Sequence, residues 1–184
     1  MLVIDMINAF EFEGAARWIG RAMRVAKAIA ALKRRARHTG VPVIYVNDNF
    51  GKWRSDFRAL LEHCLRDDVR GRPLAELLTP TAEDYFVLKP RHSAFHSTTL
   101  DVLLAHLGAR TLILTGVAGN NCVLFTAHDA YMRGFGIVAP RDCITSQTEN
   151  DDRYARFHMA HVLKARTGAS RRLDFSRLGC SQSG

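Results

Sequence analysis

Short apolar runs alternate along the chain with longer stretches in which apolar side chains recur every three or four residues. Leu2-Val-Ile4 reads as a buried strand ending at Asp5, and residues 14–38 read as a helix stopped by Gly40. Val41–Val46 is the second expected strand. The stretch from Asn47 to Ser55 is loop-like, with Gly51 and the aromatics Phe50 and Trp53, and Asp56–Leu65 reads as a short helix. A third strand is expected over Asp84–Leu88, running into Lys89-Pro90, followed by a helix over Thr98–Leu107 closed by Gly108. Thr111–Thr115 is a fourth strand. It opens into the loop Gly116-Val-Ala-Gly-Asn-Asn121 and a helix over Cys122–Arg133, ended by Gly134. Phe135–Ala139 is a fifth strand, Asp151–Lys164 a last helix, and Arg172–Phe175 a short sixth strand. Alternating strands and helices with near-continuous Val, Ile and Leu strands predict an α/β fold, its parallel sheet covered on both faces. There is no linker or repeat, so one domain is expected over residues 1–178, with residues 179–184 as a frayed tail.

Composition narrows the class. The 184 residues suffice for one substantial core, and 47% hydrophobic with 24% charged residues excludes a disordered chain. No apolar run approaches the ~20 residues that span a bilayer. Met1-Leu-Val-Ile-Asp5 has no basic n-region or small-residue cleavage site, so no secretory signal is read there. Cys64, Cys122, Cys143 and Cys180 form no CxxC pair and no zinc-ligand spacing, which fits reduced thiols in the cytoplasm. Lys plus Arg exceed Asp plus Glu by 26 to 18, a net charge of +8. Much of that excess lies on the first helix. Arg17, Arg21, Arg24 and Lys27 share one face, Lys33, Arg34, Arg35 and Arg37 follow, and Ile19, Ala22, Ala26 and Ile29 share another face. The basic side reads as a solvated face, not a nucleic-acid surface. Neither the glycine-rich dinucleotide fingerprint nor the phosphate loop ending in Gly-Lys-Ser/Thr occurs, so no cofactor is expected.

Candidate chemistry emerges at the strand ends. In open parallel sheets ligands bind at the carboxyl edge. That edge presents Asp5 after the first strand, Asn47-Asp48 after the second, Lys89 after the third, and Cys122 beyond the loop after the fourth. A lone cysteine is usually a small buried hydrophobe. Cys122, however, follows a Gly/Asn loop and opens a helix, whose free N–H groups favour a thiolate and hold an oxyanion. Asp5 follows three apolar residues, where an acid is costly unless paired or used. Together the three suggest a nucleophile whose proton passes to Asp5, with Lys89 lowering the thiol pKa and anchoring the carboxylate.

Leu2-Val-Ile-Asp-Met-Ile-Asn-Ala-Phe10, Val87-Leu-Lys-Pro-Arg-His-Ser-Ala-Phe95 and Thr115-Gly-Val-Ala-Gly-Asn-Asn-Cys-Val123 resemble the isochorismatase-like cysteine hydrolases. The later Ala127-His-Asp-Ala-Tyr-Met-Arg-Gly134 resembles the helix after that family's cysteine, and the likeness spans roughly residues 1–165. It implies a Rossmann-like three-layer αβα sandwich with a mostly parallel five- or six-stranded sheet. It also implies a triad of Asp5, Lys89 and Cys122. A cis peptide before Ala118 is implied too, turning the Ala118 and Cys122 N–H groups toward an oxyanion. Members with the cysteine mostly cleave amide-type C–N bonds of small amides or carbamoyl compounds through a thioester. Isochorismatases, which cleave a vinyl ether, generally lack it. Members are usually oligomers, so a homodimer or homotetramer is expected.

The family often carries Thr at Gly119 and an apolar residue at Asn121, so these positions bear on the substrate. Nicotinamidases carry an Asp and His metal cluster after the second strand, but Asn47-Asp-Asn-Phe-Gly-Lys-Trp-Arg54 has no histidine, so no catalytic metal is expected. His92 and His96 read as polar loop residues, and Arg91 as a surface arginine. Phe10 and Trp53 are candidate pocket walls, and Asn47 and Asn121 candidate readers of a carbonyl or amide. Two alternatives remain open: vinyl-ether hydrolysis with Asp5 as the acid, and a catalytically idle protein holding an acidic partner on its basic surface.

Overall fold

The computed structural model describes residues 1–51 and 56–178. In chain order the elements are β1 (Leu2–Ile4), α1 (Ala15–His38), β2 (Ile44–Asp48), α2 (Phe57–Cys64), α3 (Arg72–Leu77) and β3 (Tyr85–Lys89). They continue with α4 (Leu100–His106), β4 (Thr111–Gly116), α5 (Leu124–Met132), β5 (Gly136–Val138) and α6 (Glu149–His161). The five strands form one parallel sheet in the order β3-β2-β1-β4-β5.

Each strand sends alternate side chains to opposite faces. Val3, Tyr45, Ile113 and Val138 pack beneath α1–α3 with Ala22, Ala26, Ile29 and Leu74. Leu2, Ile4, Ile44, Val46, Leu112 and Leu114 pack beneath α4–α6 with Leu100, Leu104, Ala127 and Met159. Both faces of β1 are therefore buried, as its unbroken apolar run predicts. After β1 the chain moves outward to β2 and β3, then returns through α4 to β4 on the other side of β1. The carboxyl ends of β1 and β4 thus lie at the point where strand order reverses, and a crevice opens there.

Several elements depart from the sequence expectation. β2 starts at Ile44 rather than Val41 and continues to Asp48. Pro42 has no N–H for a ladder, and the Val41 N–H instead bonds the Ala36 carbonyl to close α1. The expected sixth strand at 172–175 is absent: Ser170–Arg172 and Phe175–Leu178 are 3-10 turns, and a single parallel bridge pairs Val138 with Arg166. The short α3 was not expected. α6 begins early because the Thr148 hydroxyl caps the Asp151 N–H, with Glu149, Asp151 and Asp152 in the first turn. The tail at 179–184, with Cys180, lies outside the described residues.

The basic side of α1 is only partly a solvated face. Arg17, Arg24, Lys27 and Arg34 are exposed. Lys33 is buried, donates to the Tyr45 hydroxyl and lies 3.2 Å from Asp84, which Arg37 also meets at 2.6 Å. Arg35 donates to the Ser170 carbonyl at 2.8 Å, and Arg21 pairs with Asp152. Half of the apparent charge excess on the helix thus ties it to its neighbours.

Candidate active site

Asp5 leaves β1 with φ +52°, a left-handed turn that an aspartate tolerates and that lifts its carboxyl out of the strand. The Asp48 N–H donates to Asp5 Oδ1 at 2.7 Å, and Lys89 Nζ reaches Oδ2 at 2.9 Å. Lys89 is fully buried at the end of β3, where the ladder pairs it with Asp48. Its Nζ also lies 3.6 Å from Cys122 Sγ and 3.6 Å from Asp48 Oδ2. One buried ammonium therefore joins an acid from β1, an acid from β2 and the thiol beyond β4.

The thiol is delivered by a tight passage over the sheet edge. Gly116 has φ +114°, and a Cβ there would lie 2.0 Å from the Ile4 carbonyl oxygen, so only glycine lets β4 cross the end of β1. The Val117–Ala118 peptide is cis. Gly119–Val123 forms a π-helical turn that runs directly into α5, so Cys122 sits inside a helix rather than opening one. Behind the turn, the Asn120 N–H donates to Ser146 Oγ at 3.1 Å and the Gly119 N–H to the Thr145 carbonyl at 2.9 Å. A Cβ on Gly119 would meet Ile144 Cγ2 at 2.8 Å and Ser146 Oγ at 2.9 Å, which accounts for glycine at this position.

The electrostatics differ from the expectation of a ready thiolate. Burial, reinforced by the Asp5 charge, pushes the Cys122 thiol up to about 12; Lys89 pulls the other way but does not prevail. Burial likewise raises the Asp5 pKa against the pull of Lys89, of the hydrogen bonds from Cys122 and Lys89, and of the Asp48 N–H. Burial disfavours the Lys89 charge, but Asp5, Cys122 and Asp48 together outweigh it and raise its pKa. The resting site is thus a protonated thiol beside a carboxyl with heightened affinity for a proton.

These groups open on a cleft of about 390 Å³ lined by Asp5, Asn8, Phe12, Trp18, Asp48, Phe50, His92, Val117, Ala118, Asn120, Asn121, Cys122 and Gln147. Ala118 and Asn121 line the cleft. Phe10 and Asn47 do not: both are fully buried beneath the cleft. Phe10 packs against Phe12 and Trp18, and Asn47 Nδ2 donates to the Ile7 carbonyl at 2.7 Å. The reason is strand parity, which turns residue 47 into the core and residue 48 to the site. Trp53 lies outside the described residues. His92 is more than a loop residue, since its Nδ1 lies 3.8 Å from Cys122 Sγ and its ring lies against Phe125; His96 and Arg91 do not reach the cleft. The sequence reading missed Phe12 and Trp18, and put Asp48 at the strand edge without a role. The first two belong to the loop and first helix, and only the tertiary fold returns them to the strand ends. Among the described residues no group of three or more His, Cys, Asp or Glu side chains is placed to hold a metal ion.

An open parallel sheet with an acid, a lysine and a cysteine gathered at its switch point defines a class of α/β hydrolytic enzymes with a thiol at the site. Residues 1–169 match the isochorismatase domain, and the chain belongs to the isochorismatase family. It is 41% identical over 165 residues to the uncharacterized isochorismatase family protein YaaI of Bacillus subtilis, covering 90% of both chains. It is 33% identical to the ureidoacrylate amidohydrolase RutB of Methylorubrum extorquens, over 75% of this chain and 66% of that protein. The crystal structure of N-carbamoylsarcosine amidase from Thermoplasma acidophilum superposes with a TM-score of 0.72 at 26% identity, covering 94% of this chain and 96% of that one.

Proposed function

We propose that the protein is a metal-independent cysteine amidohydrolase that cleaves the C–N bond of a small amide or carbamoyl compound through a thioester on Cys122. The observation that carries this reading is the buried Lys89 ammonium, 2.9 Å from the Asp5 carboxylate and 3.6 Å from Cys122 Sγ. A buried charge with no reaction to serve would be a poor substitute for an apolar side chain. The named amidohydrolases among its relatives point to the same chemistry.

Asp5 takes the proton of Cys122 as Sγ bonds the substrate carbonyl carbon. The Ala118 and Cys122 N–H groups hold the oxygen that becomes negative. Collapse breaks the C–N bond, and Asp5 returns the proton to the departing ammonia or amine. A water then gives its proton to Asp5, its oxygen bonds the thioester carbon, and the C–S bond breaks. The leaving sulfur recovers the proton from Asp5, and the acid product departs. Lys89 keeps Asp5 positioned and offsets the charge that shifts between the carboxylate and the sulfur. The high thiol pKa fits this order, because proton transfer accompanies attack instead of preceding it.

The cleft favours an uncharged substrate. Phe12, Trp18 and Phe50 offer flat apolar walls, Asn8, Asn120, Asn121 and Gln147 offer amide groups, and no arginine or lysine is among its described lining residues. The test is release of ammonia or amine from a panel of small amides and carbamoyl compounds. Wild type should turn over one subset and Cys122→Ala none, with its fold intact; residual release of ammonia or amine by Cys122→Ala would instead support non-covalent hydrolysis, and vinyl-ether cleavage retained by Cys122→Ala in a separate assay would support the isochorismatase-type reaction.

The same proposal places the enzyme in the cytoplasm as a homodimer or homotetramer. Reduced thiols Cys64, Cys122 and Cys143 support the first. An apolar face supports the second: Phe125, Tyr131 and Met132 on α5, Tyr154 and Phe157 on α6 and Val162 just after α6 are exposed, and His128 of α5 meets His158 of α6 at 2.9 Å.

A further inference from the structure

A hollow roomier than the catalytic cleft lies elsewhere in the described structure. A second cavity of about 700 Å³ lies between α1, the segment 141–145 and α6. Five arginines line it, Arg21, Arg24, Arg141, Arg153 and Arg156, against three acids, Asp142, Glu149 and Asp152.

The acids are largely spoken for. Asp142 accepts from the Ser170 N–H and hydroxyl, both at 2.7 Å. Asp152 accepts from the Ser146 N–H, Thr145 Oγ1 and Arg21. Glu149 is held only loosely, with its side chain 87% exposed and its pair with Arg21 at 3.5 Å. Among the arginines, Arg21 serves these acids and Arg153 donates to Asn150. Arg24, Arg141 and Arg156 have no carboxylate partner among the described residues. Three guanidinium groups from three separate segments thus line one hollow with no carboxylate paired to them among the described residues. The floor is apolar, formed by Val25, Ala28 and Ile144. Past Arg141 and Arg156 it continues into a small recess walled by Ala139, Ala155 and Met159.

We propose that this cavity is a binding site for a metabolite-sized organic phosphate, a ligand with a polyanionic end and an apolar or ring-shaped body. Guanidinium forks match phosphate oxygens two at a time, and clustered arginines from different elements are how proteins gather such groups. The volume lies within the range of small-molecule pockets and exceeds what a single inorganic anion needs. The phosphates meet Arg24, Arg141 and Arg156, Glu149 swings into solvent, and Arg21 becomes a further donor. The apolar floor takes the body of the ligand. The hollow is distinct from the catalytic cleft, with no lining residue in common, but hydrogen bonds connect the two. Thr145 lines the cavity, and its carbonyl and the Ser146 hydroxyl hold the Gly119–Asn120 turn that carries the thiol.

The site is tested on the full-length protein by isothermal titration calorimetry with ATP, inorganic pyrophosphate, inorganic phosphate and citrate. The expected result is saturable one-to-one binding of ATP, with pyrophosphate weaker and inorganic phosphate weaker still. Arg141→Gln/Arg156→Gln should weaken ATP binding at least about tenfold, the loss expected when charge-assisted bonds are removed. Glu149→Gln should tighten it. The double variant should keep the melting temperature and the Cys122 alkylation rate of wild type, readouts that do not depend on the proposed amide turnover. Citrate binding as tightly as ATP would overturn the phosphate assignment. Absence of saturation by any probe, or unchanged affinity in the double variant, would overturn the site itself.

Discussion

Replacing Lys89 by methionine removes a charge that has no contact with solvent and leaves Asp5, only 4% exposed, without the partner at 2.9 Å. Stripping one member from a buried ion pair typically costs ~3–5 kcal/mol, because the remaining charge stays desolvated. In a domain of this size that corresponds to a fall in melting temperature of roughly 6–20 °C. The effect has a pH signature. Burial already raises the Asp5 pKa above its ordinary 3.8, and losing Lys89 raises it further. Below 3.8 the carboxyl is protonated in both folded and unfolded states and exacts no penalty. As pH rises, the unfolded carboxyl releases its proton first, so folding stability falls until the folded pKa is passed. The deficit of Lys89→Met should therefore shrink toward acid and grow as pH rises above 3.8. Urea denaturation followed by circular dichroism across that range measures it. Asp5→Asn/Lys89→Met should recover most of the loss, since Asn still accepts the Asp48 N–H at the 2.7 Å position. A neutral-pH deficit below about 1 kcal/mol, or no recovery in the double variant, would refute the coupled-pair account.

Other outcomes follow from the same geometry. Asp5→Asn should speed iodoacetamide labelling of Cys122, because the Asp5 charge helps to hold the thiol near 12, while abolishing amide turnover; slower labelling would contradict the assigned electrostatics. In the wild type, labelling should keep accelerating with pH toward that value of about 12, with no plateau near neutrality. Gly119→Ala should destabilise by ~1–3 kcal/mol through contact with Ile144 and Ser146. Met132→Asp/Phe157→Asp, at two exposed positions, should reduce the particle mass found by light scattering if the α5–α6 face joins copies; unchanged mass would locate the assembly elsewhere.

The local code of this chain was strong where periodicity was strong. The short runs at residues 2–4 and 111–115 read as buried strands and the stretch from 14 to 38 as an amphipathic helix, so the α/β class was written in the pattern. Asp5 after the first run, Cys122 beyond the loop after the second, and Lys89 after the apolar stretch that precedes it were legible as residues of the carboxyl edge. The tertiary structure decided what depends on distance and parity. It turned Asp48 rather than Asn47 into the cleft, sank Phe10, and brought Phe12 and Trp18 over the thiol. It buried Lys33 against Tyr45 and Asp84, though its charge reads locally as surface. It also reversed the expected tuning of Cys122, because burial acts on the thiol more strongly than the neighbouring ammonium. A sequence specifies which side chains are available and how each segment tends to fold. Desolvation, charge pairing and the shape of a cleft arise only when segments far apart in the chain are packed together.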